Sequence, residues 1–83
     1  MYEIIFTKTA KEQLEKLENN MQKRIIAVIE RIRIRPGKFV KRLTGMPYYR
    51  LRVGNYRIIL DIQKEKMMII ILMLGHRKNV YKK

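Results

Sequence analysis

Apolar residues in the first half of the chain recur three and four positions apart, the spacing of one face of a helix. The first such stripe predicts a helix over residues 8–18, and the second predicts a helix over residues 21–35. We expect Asn19-Asn20 to separate the two helices and Pro36-Gly37 to end the second. Such a short connection predicts a helical hairpin. The two stripes consist of Ala10, Leu14 and Leu17, and of Ile25, Val28, Ile29 and Ile32.

In the second half of the chain, the periodicity changes to the alternation expected of β-strands. Gly54-Asn55 suits a two-residue hairpin turn between the first two of these strands. Residues 2–6 predict a further strand before the helices, and nothing divides residues 1–83 into separate domains. We therefore predict a single α+β domain in which the helical hairpin packs on one face of an antiparallel three-stranded meander. The strands of the meander are predicted at residues 48–53, 56–62 and 67–74.

The turn at Gly54-Asn55 determines which side chains of the hairpin share a face. It places Val53 opposite Tyr56, so that Arg52 faces Arg57 on the neighbouring strand. One face is then almost entirely apolar and must lie against the helices, whereas the other carries three arginines. That second face consists of Tyr48, Arg50, Arg52, Arg57, Ile59 and Asp61.

Three arginines on one face form a candidate site for phosphate groups. Like charges directly opposite each other on neighbouring strands are destabilising, so Arg52 and Arg57 repel unless an anion lies between them. Guanidinium groups bind phosphate oxygens through paired hydrogen bonds, and Asp61 is the only carboxylate expected on this face. The alternative interpretation is an ordinary solvent-exposed face, where arginine is common.

The composition favours nucleic acid as the partner. The chain has 20 Lys and Arg residues against 7 Asp and Glu residues, a net charge of +13 and a pI of about 10.4, so it attracts polyanions. No segment has the pattern of a membrane-surface helix or is long enough to span a bilayer, so no membrane partner is expected. With no cysteine and one histidine, we expect no disulfide, metal site or cofactor. The N-terminus lacks a signal-peptide pattern, which predicts a cytoplasmic protein.

Residues 67–74 are apolar on both faces of the predicted last strand. One interpretation is a central strand that is covered on both sides. The other is a surface whose methionines accommodate a partner helix. The alternation leaves both interpretations open.

The arginine-rich hairpin is part of a longer pattern. Tyr-Arg-Leu-Arg-Val-Gly-Asn-Tyr-Arg-Ile-Ile at residues 49–59 is followed by the apolar strand and by Gly75-His76-Arg77 and Val80-Tyr81. This pattern resembles the RelE family of toxin–antitoxin toxins. The resemblance implies a β-α-α-β-β-β fold and a ribosome-dependent endoribonuclease that cuts messenger RNA in the decoding site. It implies metal-independent attack by a ribose 2′-hydroxyl, and an acidic antitoxin with an amphipathic helix as partner.

The resemblance also implies roles for individual residues. Arg57 and Arg77 would stabilise the transition state, and Tyr81 would stack on a base and take part in proton transfer. Familiar members carry lysines at the positions of Arg50 and Tyr48. Because an arginine stays protonated, Arg50 is expected to act as an electrostatic clamp, and either Tyr81 or His76 would be the general base. Further RNA contacts are expected from Tyr48, Arg52, His76, Lys78 and Lys82.

Two other functions fit the same residues. A toxin of the ParE branch keeps this fold but inhibits DNA gyrase and cuts nothing. A basic domain without catalysis would only bind ribosomal RNA. Tyr81 favours the RNA-cutting branch, but the same arginines would serve binding in every case.

Overall fold

A computed structural model of the chain describes residues 1–76, which form a five-stranded sheet with its helices packed mainly on one face. The sheet order is β1-β5-β4-β3-β2. Strand β1 pairs with β5 in parallel, and every other neighbouring pair is antiparallel. The elements in chain order are β1 (Glu3–Phe6), α1 (Lys8–Glu15), α2 (Asn19–Ile32), α3 (Pro36–Phe39), β2 (Lys41–Arg42), β3 (Tyr49–Val53), β4 (Tyr56–Gln63), a single 3₁₀ turn (Lys64–Lys66) and β5 (Met68–His76).

The predicted α+β class, the N-terminal strand, the two main helices and the three-stranded meander are confirmed. The sequence pattern left the partner of β1 open, and in the structure β1 joins β5 in parallel after the chain has crossed over through the helices. The sequence pattern also missed strand β2, which has two residues and so shows no alternation.

Three predicted helix boundaries are wrong, and the first is the end of α1, which stops at Glu15 rather than at residue 18. Asn19-Asn20 does not separate the helices but begins α2, and residues 16–18 form the connection instead. The side-chain amide of Gln22 donates to the carbonyl oxygen of Leu17 in this connection at 2.7 Å. Pro36 does not end α2, which stops at Ile32, but begins the short helix α3. Proline fits a first helical position because the N–H that it lacks has no intrahelical acceptor there.

The core lies between the helices and the apolar face of the sheet, as the alternation predicts. The described helices contribute Ala10, Ile25, Ile29 and Ile32, and the strands contribute Leu51, Val53, Ile58, Leu60, Ile69, Ile71 and Leu74, all of them buried. A side-chain hydrogen bond links the end of α2 to the start of β1, because Arg33 Nε donates to the carbonyl oxygen of Tyr2 at 3.0 Å. None of the helices within residues 1–76 is long and apolar enough to cross a membrane.

Strand β5 contains a bulge that reverses the direction of its later side chains. Ile71 pairs with Leu60, but Met73 pairs with Ile59, which leaves Leu72 as an extra residue. Strand β1 ends at Phe6, and beyond it a side chain takes over hydrogen bonding to the backbone of β5: Thr7 Oγ1 donates to the Leu72 carbonyl oxygen at 2.9 Å. Because β5 lies between β1 and β4, it is an interior strand of the sheet, and both of its faces carry apolar residues.

Candidate nucleic-acid interface

The predicted register of the β3–β4 hairpin is confirmed. Val53 pairs with Tyr56, and Arg52 lies directly opposite Arg57. Gly54 has a φ of 59°, which suits the first central position of a type II′ turn and which residues with a Cβ rarely adopt. The turn therefore fixes the pairing that brings the two arginines together.

Strand β2 widens this arginine face. Lys41 pairs with Arg50, and cross-strand partners share a face of the sheet. The four cations border a depression of about 160 Å³ on the face opposite the core. Its lining consists of Phe39, Lys41, Arg50, Arg52 and Arg57. We call this depression the arginine site.

Sequence reasoning missed two residues of the arginine site, Phe39 and Lys41. Both precede the predicted strands, and the sequence shows them only as part of a basic loop. Phe39 is 44% exposed, so an aromatic ring is available beside the cations. An unpaired base can stack on such a ring.

Among residues 1–76, no acidic side chain lines the arginine site. Asp61, expected on this face, lies two residues beyond Ile59 on β4, and its carboxylate accepts a hydrogen bond from Gln63 Nε2 at 3.1 Å. Glu30 is paired with Arg33 at 2.9 Å, away from the site. The arrangement concentrates positive charge where a phosphate group would fit.

The sequence comparison that decides the family covers almost the whole chain. Residues 4–81 match the family model described as "ParE toxin of type II toxin-antitoxin system, parDE". The chain is also 33% identical to the toxin RelE3 of Methanocaldococcus jannaschii over 94% of its length and 93% of that protein. The chain belongs to the RelE/ParE superfamily of type II toxins.

Solved structures of RelE proteins share the fold. The RelB–RelE antitoxin–toxin complex from Methanococcus jannaschii matches with a TM-score of 0.74 and 33% identity, covering 93% of this chain and 94% of that one. The archaeal RelE–RelB complex from Pyrococcus horikoshii matches with a TM-score of 0.80 and 27% identity, covering 95% of this chain and 98% of that one. The fold expected of a RelE toxin is therefore confirmed.

The structure brings together only some of the predicted site residues of this RelE-like toxin. Arg50, Arg52 and Arg57 converge in the arginine site. Tyr48 lies just before β3 and does not line the site, although its carbonyl oxygen accepts a hydrogen bond from the Leu43 N–H at 2.9 Å. Four further predicted site residues lie outside the described residues: Arg77, Lys78, Tyr81 and Lys82.

His76 lies away from the arginine site. It pairs with Tyr56, and the two rings meet edge to face with their centroids 5.7 Å apart. Because Tyr56 packs against the core, this pairing places His76 on the helix side of the sheet. The contact of His76 with RNA and its role as a possible base stay predictions. Both would require RNA to reach the helix side of the sheet.

The opposed arginines give a stability prediction. We expect Arg52→Gln to stabilise the toxin by roughly 0.2–1 kcal/mol at low salt, because it removes the repulsion between Arg52 and Arg57. The gain should fade in about 1 M salt, where the screening length falls to about 3 Å. Urea unfolding at both salt concentrations measures it, with Arg31→Gln on the exposed face of α2 as the control. A loss of stability in Arg52→Gln would contradict the expected repulsion.

Proposed function

We propose that this toxin is a ribosome-dependent endoribonuclease that cuts messenger RNA in the decoding site. The observation that carries the proposal is the convergence of four cations in one depression, which no acidic side chain of the described residues lines. The identity to the toxin RelE3 and the RNA-cutting pattern of the sequence support the same branch of the superfamily. Ribosomes and messenger RNA would make the cytoplasm its place of action.

The chemistry needs no group beyond RNA and protein side chains. The ribose 2′-oxygen attacks the adjacent phosphorus, and the bond to the 5′-oxygen breaks to leave a cyclic phosphate and a new 5′-hydroxyl. A base takes the proton of the 2′-hydroxyl, an acid protonates the departing 5′-oxygen, and negative charge accumulates on the non-bridging oxygens.

Arg50 and Arg57 would stabilise the developing charge. Both are half-buried in the arginine site, so their charges act where less water screens them. Guanidinium groups donate paired hydrogen bonds that match two phosphate oxygens. Arg52 and Lys41 would hold the flanking backbone, and Phe39 would stack on a base.

The residues beyond the described part keep the roles that the family resemblance implies. Arg77 would add a further cation to the transition state. Tyr81 would stack on a base and transfer a proton. Contacts of Lys78 and Lys82 would be made with the RNA backbone.

We also propose an acidic antitoxin as partner. The net charge of +13 favours an acidic chain, and the RelE proteins of Methanococcus jannaschii and Pyrococcus horikoshii were solved in complex with RelB. An amphipathic helix of this antitoxin would supply acidic groups for the basic residues of the toxin and an apolar face for its exposed hydrophobic residues.

The test is cleavage of messenger RNA by the wild-type protein on purified, translating ribosomes. We expect cuts at defined positions in the ribosome-bound message and none in the same message without ribosomes. Tyr81→Phe, assayed in parallel, would show whether the phenol is needed. Because the matching family model is described as ParE, supercoiling by DNA gyrase is measured with the same preparation.

The outcomes separate the three functions. A folded protein that binds ribosomes without cutting would overturn the nuclease and leave a binding domain. Inhibition of gyrase without any cleavage would favour the ParE branch.

A further inference from the structure

Helix α2 brings the guanidinium group of Arg24 close to the turn of the β3–β4 hairpin. A Cβ atom at Gly54 would lie 3.3 Å from Arg24 Nη1, 3.6 Å from Cζ and 3.7 Å from Nη2. This contact lies outside the arginine site, and the function proposed above does not use it. It brings a cation from the helix layer to the tip of the arginine-bearing hairpin.

The three distances indicate how the guanidinium group is oriented. Nη1, Cζ and Nη2 lie at nearly equal distances from this Cβ position, so the guanidinium group turns its face rather than its edge towards Gly54. The N–H donors of a guanidinium group lie in its plane, so they point sideways rather than into the glycine. Arg24 is exposed and makes no hydrogen bond or ion pair with the rest of residues 1–76. Its donors are therefore positioned for a ligand from solvent.

Arg52 approaches the same glycine from the sheet. Its Nε donates to the Gly54 carbonyl oxygen at 3.3 Å, while the side chain belongs to the arginine site. Arg24 and Arg52 thus both lie beside Gly54, and Arg52 in turn faces Arg57. Positive charge continues from the arginine site to the tip of the hairpin, and an anion that follows this path would relieve the repulsion between these groups.

We propose that the RNA-binding surface extends over the turn at Gly54-Asn55 to Arg24, which binds a backbone phosphate outside the arginine site. The inference rests on the proposed function and adds an RNA contact to it. A nucleic-acid strand fits this surface because its charges are spaced along one backbone. One phosphate of a strand occupies the arginine site, and another phosphate of the same strand binds Arg24.

The test is the salt dependence of RNA binding by Arg24→Gln. The probe is a short, fluorescein-labelled single-stranded RNA, and its affinity is measured by anisotropy over a series of salt concentrations. Each phosphate contact that is lost should reduce the slope of log affinity against log salt by about 0.7. We expect that reduction in Arg24→Gln, with affinity at low salt weakened by roughly threefold to tenfold.

Arg31→Gln is the matched control. Arg31 is also exposed on α2, and it lies seven residues beyond Arg24, about 10 Å along the helix axis. The same substitution there removes the same charge away from the turn. We expect an unchanged slope, and thermal unfolding of both variants checks that they are folded.

Equal slopes in Arg24→Gln and Arg31→Gln would overturn the proposal, because net charge alone would then explain RNA binding. Loss of binding to poly-glutamate, without a change towards RNA, would also overturn it and assign Arg24 to acidic protein partners. The cleavage assay on ribosomes separates the two proposals. A wild type that cuts, with an unchanged slope in Arg24→Gln, refutes only the Arg24 contact. A slope that depends on Arg24, in a protein that never cuts, refutes only the nuclease.

Discussion

Arg57→Ala is expected to slow cleavage of ribosome-bound messenger RNA by about 100-fold to 1000-fold, the usual cost of removing one positioned donor from a transition state. Arg57 lines the arginine site from β4, where it lies opposite Arg52 on β3 and opposite Gly75 on β5. Its side chain is half-buried, so water replaces its charge poorly when it is removed. Single-turnover cleavage with toxin in excess measures the chemical step rather than binding.

Arg42→Ala is the control for this prediction. Arg42 pairs with Tyr49 and lies 5.9 Å from the centre of its ring, on the helix side of the sheet. The variant loses the same charge from the edge strand β2 but leaves the arginine site intact, so we expect cleavage within about threefold of wild type. Arg57→Lys should cut at an intermediate rate, because an ammonium group keeps the charge but lacks the planar fork. Similar losses in Arg57→Ala and Arg42→Ala would refute a direct role for Arg57.

The centre of the arginine site could be predicted because one turn fixes it. A two-residue connection at Gly54-Asn55 allows one register, and alternation then assigns every side chain of β3 and β4 to a face. The pairing of Arg52 with Arg57 follows directly from this register, and the structure confirms it. The core positions of α1 and α2 were predictable for a similar reason, since their apolar stripes have the helical period.

The edge of the site could not be predicted in this way. Strand β2 has two residues, too few for any period, so the pairing of Lys41 with Arg50 depends on tertiary structure. The parallel partner of β1 is also set by the path of the chain through the helices, which local patterns do not record. Proline ends many helices, but it also suits the first turn of a helix. The residue type of Pro36 alone does not decide between these two positions.

The position of His76 depends on the bulge in β5. Ile69 and Ile71 face the core, so strict alternation would place Leu72, Leu74 and His76 on the arginine face. The extra residue Leu72 reverses this order, and His76 therefore pairs with Tyr56 on the helix side. No sequence pattern indicates the bulge, because residues 67–74 are all apolar and either phase of alternation buries hydrophobic side chains.

Ile71→Ala is expected to destabilise the toxin by about 2–5 kcal/mol, through lost burial and the cavity that it leaves. Ile71 is fully buried in β5, with Phe6 of β1 as its partner on one side and Leu60 of β4 on the other. A chain of 83 residues has a total stability of only about 4–12 kcal/mol, so this change removes a large share of it. Urea unfolding followed by circular dichroism measures the loss as a lower midpoint with an unchanged slope.

Ile34→Ala is the matched control, because Ile34 is 68% exposed and the same atoms are removed from a surface position. We expect a change within about 0.5 kcal/mol there, and equal losses in the two variants would refute the position of Ile71 in the core. The pair also separates folding from chemistry. Ile71 does not line the arginine site, so cleavage per folded molecule of Ile71→Ala should stay near wild type while the folded fraction falls. Arg57→Ala should show the reverse, a folded protein that has lost its cleavage.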